Sequence, residues 1–296
     1  MNLKEFRNVL IDYINSNYED REAVENDAIK NNGLKLTGIV IKRPNVLVSP
    51  SIYLENYYGR YISGESISEI ANELIDLADG NQFEGELCQD DFLDFNKVKD
   101  NVRIKLINTK QNEELLKSIP HRAFLDLSEV VYCDVSNIMG MSATMVVKNE
   151  YMEKWGISAD NLIDIAYENT KRNGVTIEDI TNIIGRFSPE VDSGDTFELA
   201  DSRGKMHVMT LGKSFFGAIS MTYDDVLDDF VKNECRGVYI IPSSIHEVIL
   251  LKDNGQIEAN TLNMMINCVN KENLGIEEIL SSHAYYYSSD DGYSIV

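Results

Sequence analysis

Strand-like segments come in neighbouring pairs along this chain, and amphipathic helical segments lie between the pairs. The clearest strand-like segments are "GLKLTGIVIKR", "NVRIKLIN", "AFLDLSEVVYCDV", "MHVMTL" and "GVYIIP". Strands that succeed one another over short connections pair antiparallel, whereas each parallel pair needs a long crossover. We therefore expect an α+β fold, with mixed or antiparallel sheets and helices packed against them.

The strands and helices of the first half of the chain are followed by a second series of strands and helices, which predicts two lobes within one compact body. The N-terminal α+β lobe is expected over residues 1–148 and the C-terminal α+β lobe over residues 149–296. No linker rich in Pro and Ser marks the boundary near Asn149, so one continuous domain is the alternative.

Composition places the chain among globular proteins of a reducing compartment. It is 43% hydrophobic and 26% charged, and its four cysteines form no CxxC pair. Apolar runs such as "FFGAISM" are too short to span a bilayer, and the N-terminus has no apolar stretch of signal-peptide length. We therefore expect a cytoplasmic protein that does not enter a membrane.

A formal net charge of −22 argues against direct binding to nucleic acid or to anionic lipid surfaces. An acidic decoy that occupies a DNA-handling protein is an alternative. A decoy should cluster its acids, whereas here 49 acidic residues are mixed with 27 basic ones along the whole chain. A well-solvated acidic surface is the favoured interpretation.

Several local patterns predict where elements begin and turn. Capping patterns predict four helix starts, at Ser66-x-x-Glu69, Ser158, Thr176-x-x-Asp179 and Thr222-x-x-Asp225. "FGAISM" resembles a strand, Asn254-Gly255 a hairpin turn and Asp291-Gly292 a second turn. The polar segment from Ser188 to Lys205 is predicted to be a mobile loop.

No metal or cofactor site is predicted. The spacing of Asp224, Asp225, Asp228 and Asp229 could hold magnesium on a helix, but acids in a first helical turn also complement the helix dipole, and we favour that role. "GKS" lacks the upstream glycine of a P-loop. "GMSAT" and "HEVIL" depart from the nucleophile-elbow and zincin patterns at Thr144 and Leu250.

The segment "YIIPSSIHEVILL" places a polar notch between two apolar runs. A hydrolase could use Ser243 or Ser244 as nucleophile, His246 or His121 as base, and Glu247 to orient the base. Adjacent strand residues point to opposite faces, which argues against a local His246–Glu247 pair. The favoured interpretation is a turn whose serines satisfy backbone groups.

Several segments together resemble a known family. "SPSIYLENYYGRYISG", "LLKSIPHRAFLDLSEVVY", "ATMVVKNEYMEKWGISADNLIDIAYENT", "YIIPSSIHEVILL" and "EEILSSHAYYY" are similar to the bacterial domain of unknown function 5688, from about Gly33 to Tyr287. Two of them are also similar, more faintly, to domain of unknown function 1444. The resemblance implies an intact bacterial cytosolic protein and brings no activity, cofactor or catalytic residue set. It directs attention to Pro120-His121-Arg122, Asn169-Thr170 and Pro242–Glu247.

Those segments supply the ligand-binding candidates Arg122, Asn169 and Thr170. Arg122 could bind a carboxylate or phosphate, although an acidic protein has many partners for it. Asn169 and Thr170 end a helix, where the structural alternative is a solvent-exposed cap. The favoured function is a non-enzymatic interaction or ligand-binding protein, whose partner is another protein or a small molecule. The hydrolase and the acidic decoy are the alternatives.

Overall fold

The computed structural model describes residues 1–44, 49–80, 93–136, 144–187, 205–212, 215–232 and 235–296. Two compact units are present. The first comprises Met1–Val98 with Asp134–Thr144, and the second comprises Lys99–Cys133 with Met145–Val296. The boundary near Asn149 stays a prediction. The predicted mobile loop, Ser188 to Lys205, lies outside the described residues except for Lys205.

The first unit combines short antiparallel strands with amphipathic helices. Its strands are β1 (Glu22–Glu25), β2 (Ala28–Ile29), β3 (Lys35–Leu36), β4 (Gly38–Lys42) and β5 (Ser51–Tyr53). Its helices are α1 (Leu3–Asn17), α2 (Glu55–Ile62), α3 (Ile67–Gly80) and α4 (Phe95–Val98). The sheet order is β1-β4-β5, and β2 pairs with β3. Apolar residues of α1, β4 and α3 form one buried core.

The start of α3 confirms the first predicted capping box. The backbone N–H of Ser66 donates to the Glu69 carboxylate at 3.0 Å, and the N–H of Glu69 donates to the Ser66 hydroxyl at 3.3 Å. Two otherwise unpaired donors of the first turn are thereby satisfied.

The remaining elements begin at Val102. The strands are β6 (Val102–Asn108), β7 (His121–Phe124), β8 (Leu127–Asp134), β9 (Thr144–Val146), β10 (Val175–Asp179), β11 (Met206–Leu211), β12 (Val238–Pro242), β13 (Val248–Lys252), β14 (Tyr285–Ser288) and β15 (Gly292–Ile295). The helices are α5 (Glu113–Leu116), α6 (Asn149–Trp155), α7 (Ala159–Lys171), α8 (Ile180–Phe187), α9 (Asp224–Val231) and α10 (Ala259–Asn273). Short 3-10 helices occupy Asn31–Gly33, Lys110–Asn112, Gly217–Thr222 and Ile276–Glu278.

Two sheets frame the second unit. One has the order β6-β8-β7, with β9 also paired to β8, and the other has the order β10-β11-β13-β12-β14-β15. The neighbours β10 to β15 in the larger sheet pair antiparallel, as do β6 and β7 with β8. The expected α+β class with antiparallel sheets is confirmed. Helix α10 buries Leu262 and Ile266 against Leu251 of β13.

Tyrosine hydroxyls fasten the last two strands to acidic residues. Each phenol donates to one carboxylate at 2.7–3.0 Å, in the pairs Tyr285–Asp126, Tyr286–Asp253, Tyr287–Asp228 and Tyr293–Asp224. A phenol–carboxylate bond is charge-assisted and adds no cation. Acids of α9 therefore become attachment points for the β14–β15 hairpin.

Three local predictions are wrong. Residues 175–179 form β10, because pairing with β11 overrides the capping pattern, and α8 begins one residue after Asp179. "FGAISM" forms the Gly217–Thr222 3-10 helix instead of a strand. The Thr222 hydroxyl donates back to the Ile219 carbonyl and does not cap α9, which begins at Asp224.

The two predicted glycine turns lead into different elements. Asp291-Gly292 joins β14 to β15 as predicted, with φ of +70° at Gly292. Asn254-Gly255 also turns, with φ of +77° at Gly255, but leads from β13 into α10 instead of into a second strand. In the part of the chain that the structure describes, no helix combines the length and apolar character that a membrane span requires.

Candidate functional site

The polar notch is the connection between β12 and β13. These strands pair antiparallel up to Pro242, which lies opposite Val248, so residues 243–247 form the loop that closes the hairpin. The interpretation of the notch as a turn between buried strands is confirmed. His246 and Glu247 precede β13, so their roles depend on hydrogen bonds within the loop and not on strand alternation.

The polar atoms of the loop bind its own main chain. The N–H groups of Ser243 and Ser244 both donate to the Glu247 carbonyl at 3.2 Å. The Ser244 hydroxyl accepts the N–H of His246 at 3.0 Å, and the Ser243 hydroxyl donates to the Glu247 carboxylate at 3.3 Å. Both serines thus stabilise the turn, as the sequence pattern predicts.

The imidazole of His246 accepts a backbone hydrogen bond from outside the loop. Its Nδ1 lies 3.1 Å from the N–H of Phe216, and the two rings stack with centroids 5.3 Å apart at 17°. A nitrogen that accepts an N–H carries no proton, so the neutral ring holds its proton on Nε2. In this arrangement neither ring nitrogen is available to take a proton from a serine.

Burial lowers the pKa of His246 below its usual value. The carboxylates of Glu278 and Glu247 act in the opposite direction, and the ammonium of Lys105 adds a smaller lowering. Burial therefore outweighs the nearby negative charge. The ring stays neutral over a wider pH range than an exposed histidine does.

Phe216 adopts a left-handed backbone conformation, with φ of +68°. That conformation is strained for a residue with a bulky side chain. Its ring contacts Tyr132 edge-on at 5.1 Å, and the Lys105 ammonium lies 4.3 Å from its centroid. Gly217 comes next, at a close approach where an added Cβ would lie 2.1 Å from the Thr210 hydroxyl. The surrounding contacts hold this strained turn in place.

Further main-chain bonds anchor the loop on two sides. The Thr210 hydroxyl of β11 donates to the His246 carbonyl at 2.9 Å, and the N–H of Ala218 donates to the Ile245 carbonyl at 3.4 Å. On the other side, the N–H of Ile245 donates to the Glu278 carbonyl at 2.9 Å. The loop is therefore fixed to β11 and to the Ile276–Glu278 helical turn.

His121 lies apart from this arrangement of bonds. It begins β7, its side chain is exposed, and its Nδ1 lies 3.0 Å from the Ile119 carbonyl. Among the contacts of the described residues, none joins His121 to Ser243 or Ser244. Catalysis by these candidates stays a prediction, without an assembled serine–histidine pair in the described part of the chain.

Arg122 has two partners within the fold. Its guanidinium donates to Glu129 at 2.6 Å and to Asp164 of α7 at 2.8 Å. Glu129 is only 4% exposed, and burial raises the pKa of its carboxyl although Arg122 opposes the rise. The guanidinium offsets the cost of this buried carboxylate. An external anion would have to displace one of these bonds.

Asn169 and Thr170 are buried, so the alternative of a solvent-exposed cap is wrong, while their role as ligand-binding residues stays a prediction. The Asn169 amide donates to the carbonyls of Lys99 and Val102 at 2.7 and 3.1 Å. The Thr170 hydroxyl accepts the N–H of Ile104 at 2.9 Å and donates to Ala166 within its own helix. These bonds fasten α7 to β6.

The aspartates of α9 are engaged in bonds to donors within the protein. Asp224 and Asp228 accept phenol hydroxyls from the last hairpin, while Asp225 pairs with Lys171 at 2.8 Å and Asp229 with Lys232 at 3.1 Å. Within the described ranges, no group of three or more His, Cys, Asp or Glu side chains could hold a metal ion.

Helix α10 presents a surface that the sequence motifs did not indicate. One side buries Leu262 and Ile266, and a second side carries asparagines whose amides donate to carbonyls of residues 281, 282 and 296. The remaining side is exposed and consists of Met264, Met265, Cys268 and Val269, which we call the α10 apolar face. The sequence signal is a run without any charge over residues 259–270.

A groove adjoins the α10 apolar face. It has a volume of about 280 Å³, and Gln256, Glu258 and Thr261 add polar groups to an apolar lining of Met206, Leu251, Ile257, Leu262 and Met265. Met265 belongs to both features, so face and groove form one continuous surface. Exposed apolar surface of this kind is typical of interaction sites.

Comparison with known proteins identifies the family. The chain matches Family of unknown function (DUF5688) over residues 3–289. It belongs to this family. No curated protein and no solved structure matches this DUF5688 member. The hairpin loop, the α7–β6 attachment and the α10 apolar face all lie within the matched residues.

Thr170→Val should destabilise the protein by roughly 1–3 kcal/mol, because it leaves the buried N–H of Ile104 without its acceptor. Urea unfolding of the variant and the parent measures this difference. Thr176→Val is the matched control, since Thr176 is exposed and its hydroxyl makes a long bond of 3.5 Å. Equal effects of the two substitutions would contradict the attachment role of Thr170.

His246→Asn should lower the free energy of unfolding by about 1 kcal/mol at neutral pH, because the stacking on Phe216 is lost. The lowered pKa of His246 means that its stability contribution is complete above the unfolded-state pKa and declines as the pH falls below it. Asparagine does not titrate, so the difference in the free energy of unfolding between the parent and the variant should become smaller as the pH falls from about 7 to 5.

Chemical denaturation at several pH values measures that difference. His121→Asn is the control, since it removes an exposed imidazole. A parent–variant difference that stays constant or widens on acidification would show that the His246 imidazole is not held neutral by burial.

Proposed function

We propose that this DUF5688 member is a non-enzymatic protein-binding protein that uses the α10 apolar face and its adjoining groove. The observation that carries the proposal is the exposure of Met264, which leaves 67% of its surface accessible on a helix whose other two sides are packed and tethered. An unbranched thioether adapts to varied partner surfaces, and methionine is enriched in binding interfaces.

The rigidity of α10 supports a role as a preformed binding element. Leu262 and Ile266 anchor the helix in an apolar cluster, and Asn263 both donates to the Val296 carbonyl and accepts the N–H of Ala284, at 2.9 and 2.8 Å. A surface held in this way needs little ordering when a partner binds, and this lowers the entropic cost of association.

The hairpin loop supports binding over hydrolysis. The Nδ1 of His246 already accepts the N–H of Phe216, and the hydroxyl of Ser244 already accepts an N–H of the loop. Hydrolysis would require His246 to release Phe216 and rotate, because a general base must accept the proton of the nucleophile directly or through one water. The acidic-decoy alternative is weakened by the tyrosines and lysines that engage the acids of α9.

Site-specific photo-crosslinking in the native cell tests the proposal. A benzoylphenylalanine in place of Met264 should yield a discrete crosslinked protein adduct on irradiation, because this side chain lies on the α10 apolar face. The matched control carries the same group in place of Phe215, which is 57% exposed beside the hairpin loop. Adducts from position 215 without adducts from position 264 would contradict the proposal.

A further inference from the structure

We propose that Asn254 is a self-catalysed deamidation site, at which its side-chain amide becomes a carboxylate without an external enzyme. An asparagine followed by glycine deamidates when the glycine nitrogen attacks the side-chain carbonyl carbon and closes a succinimide ring. Asn254-Gly255 lies in the segment that leads from β13 into α10, and both residues are exposed. The modification does not rest on the proposed function.

A carboxylate faces the attacking nitrogen. The N–H of Gly255 donates to Oδ1 of Asp253 at 2.8 Å, which lies within the range of about 2.6–3.2 Å that a general base requires. Two further bonds hold Asp253 in this position. Its own N–H donates to the Gly237 carbonyl at 2.9 Å, and the Tyr286 hydroxyl donates to its Oδ2 at 3.0 Å. The carboxylate can therefore take the proton of Gly255 as the ring closes.

A backbone donor faces the oxygen on which charge develops. The N–H of Gln256 donates to Oδ1 of Asn254 at 3.0 Å. Such a donor polarises the side-chain carbonyl and stabilises the oxyanion that forms when the carbon is attacked. A Cβ added at Gly255 would meet no atom of the described residues within 4 Å, so the space beside the reacting atoms is open to water and to departing ammonia.

The reaction needs only water as a co-reactant. The nitrogen of Gly255 bonds to Cγ of Asn254, and its proton passes to Asp253. The Cγ–Nδ2 bond then breaks, and Nδ2 leaves as ammonia with the proton that Asp253 returns. Water opens the succinimide at either carbonyl, which gives aspartate or isoaspartate at position 254. Nothing is oxidised or reduced, and the Asp253 carboxylate is regenerated.

The chain contains the same dipeptide in a different setting. At Asn173-Gly174 the glycine also has a positive φ, of +72°, compared with +77° at Gly255. The N–H of Gly174, however, donates to the Lys171 carbonyl at 3.1 Å. A carbonyl oxygen is too weak a base to take this proton. Asn173 therefore reports the reactivity of the dipeptide without a carboxylate at the glycine nitrogen.

Deamidation changes the charge beside the groove that adjoins the α10 apolar face. Gln256 and Glu258, which follow Asn254 closely, line that groove. A carboxylate at position 254 adds a negative charge next to Asp253, and isoaspartate also lengthens the main chain between β13 and α10 by one methylene. The modification therefore alters the polar margin of the groove.

Peptide mapping by mass spectrometry, during incubation of the intact protein at neutral pH, tests this inference. Asn254 should gain the mass that distinguishes a carboxyl from an amide at least about tenfold faster than Asn173 does. In urea, where the contacts of Gly255 are lost, the two positions should react at similar rates, and Asn254 should react more slowly than in the folded protein. This comparison uses the parent protein alone.

A substitution of the base gives a second readout. Asp253→Asn should slow deamidation at Asn254 at least about tenfold, because an amide oxygen still accepts the N–H of Gly255 but does not take its proton. Glu258→Gln is the matched control, since it removes an exposed carboxylate of the same segment and should leave the rate unchanged.

Two outcomes would overturn the inference. One is an Asn254 that, in the folded protein, reacts no faster than Asn173 or no faster than it does in urea. The other is a rate at Asn254 that Asp253→Asn leaves unchanged.

Discussion

Two connecting segments of the six-stranded sheet are held together by the hydrogen bond from the N–H of Phe216 to Nδ1 of His246. It joins the segment after β11 to the loop between β12 and β13, and it holds Phe216 in a strained left-handed conformation. The bond requires a neutral imidazole, although Glu247 and Glu278 favour the charged form. Burial outweighs them, so the histidine contributes to the structure through an acceptor nitrogen that a catalytic base would have to keep free.

Uncharged hydrogen-bond donors also accommodate the excess of acidic residues. Phenols of β14 and β15 bind four carboxylates without adding cations, and burial beside Asp253 raises the pKa of Tyr286 to about 12. The hairpin is thereby fastened while the net charge stays at −22. The α10 apolar face lies on a helix that residues next to these strands hold in place, through the bonds of Asn263 to Val296 and Ala284.

Local patterns predicted the features that neighbouring residues decide. The Ser66–Glu69 capping box, the Asp291-Gly292 turn and the hairpin loop all depend on residues within a few positions of one another. Predictions were wrong where distant residues decide the outcome. Pairing with β11 converts residues 175–179 into a strand, and the N–H of Ile104, which lies 66 positions away, draws Thr170 into the interior. The bond between Phe216 and His246 spans 30 positions, and no local pattern indicates it.

The protonation state of His246 distinguishes a structural histidine from a catalytic one most directly, because the two roles require different ring nitrogens to be occupied. A long-range proton–nitrogen correlation spectrum of the histidine side chains at neutral pH resolves which nitrogen carries the proton. We expect an unprotonated Nδ1 that accepts a hydrogen bond and a protonated Nε2. A protonated Nδ1 with an unprotonated Nε2 would show that the ring does not accept the N–H of Phe216, and that it retains a nitrogen able to act as a base.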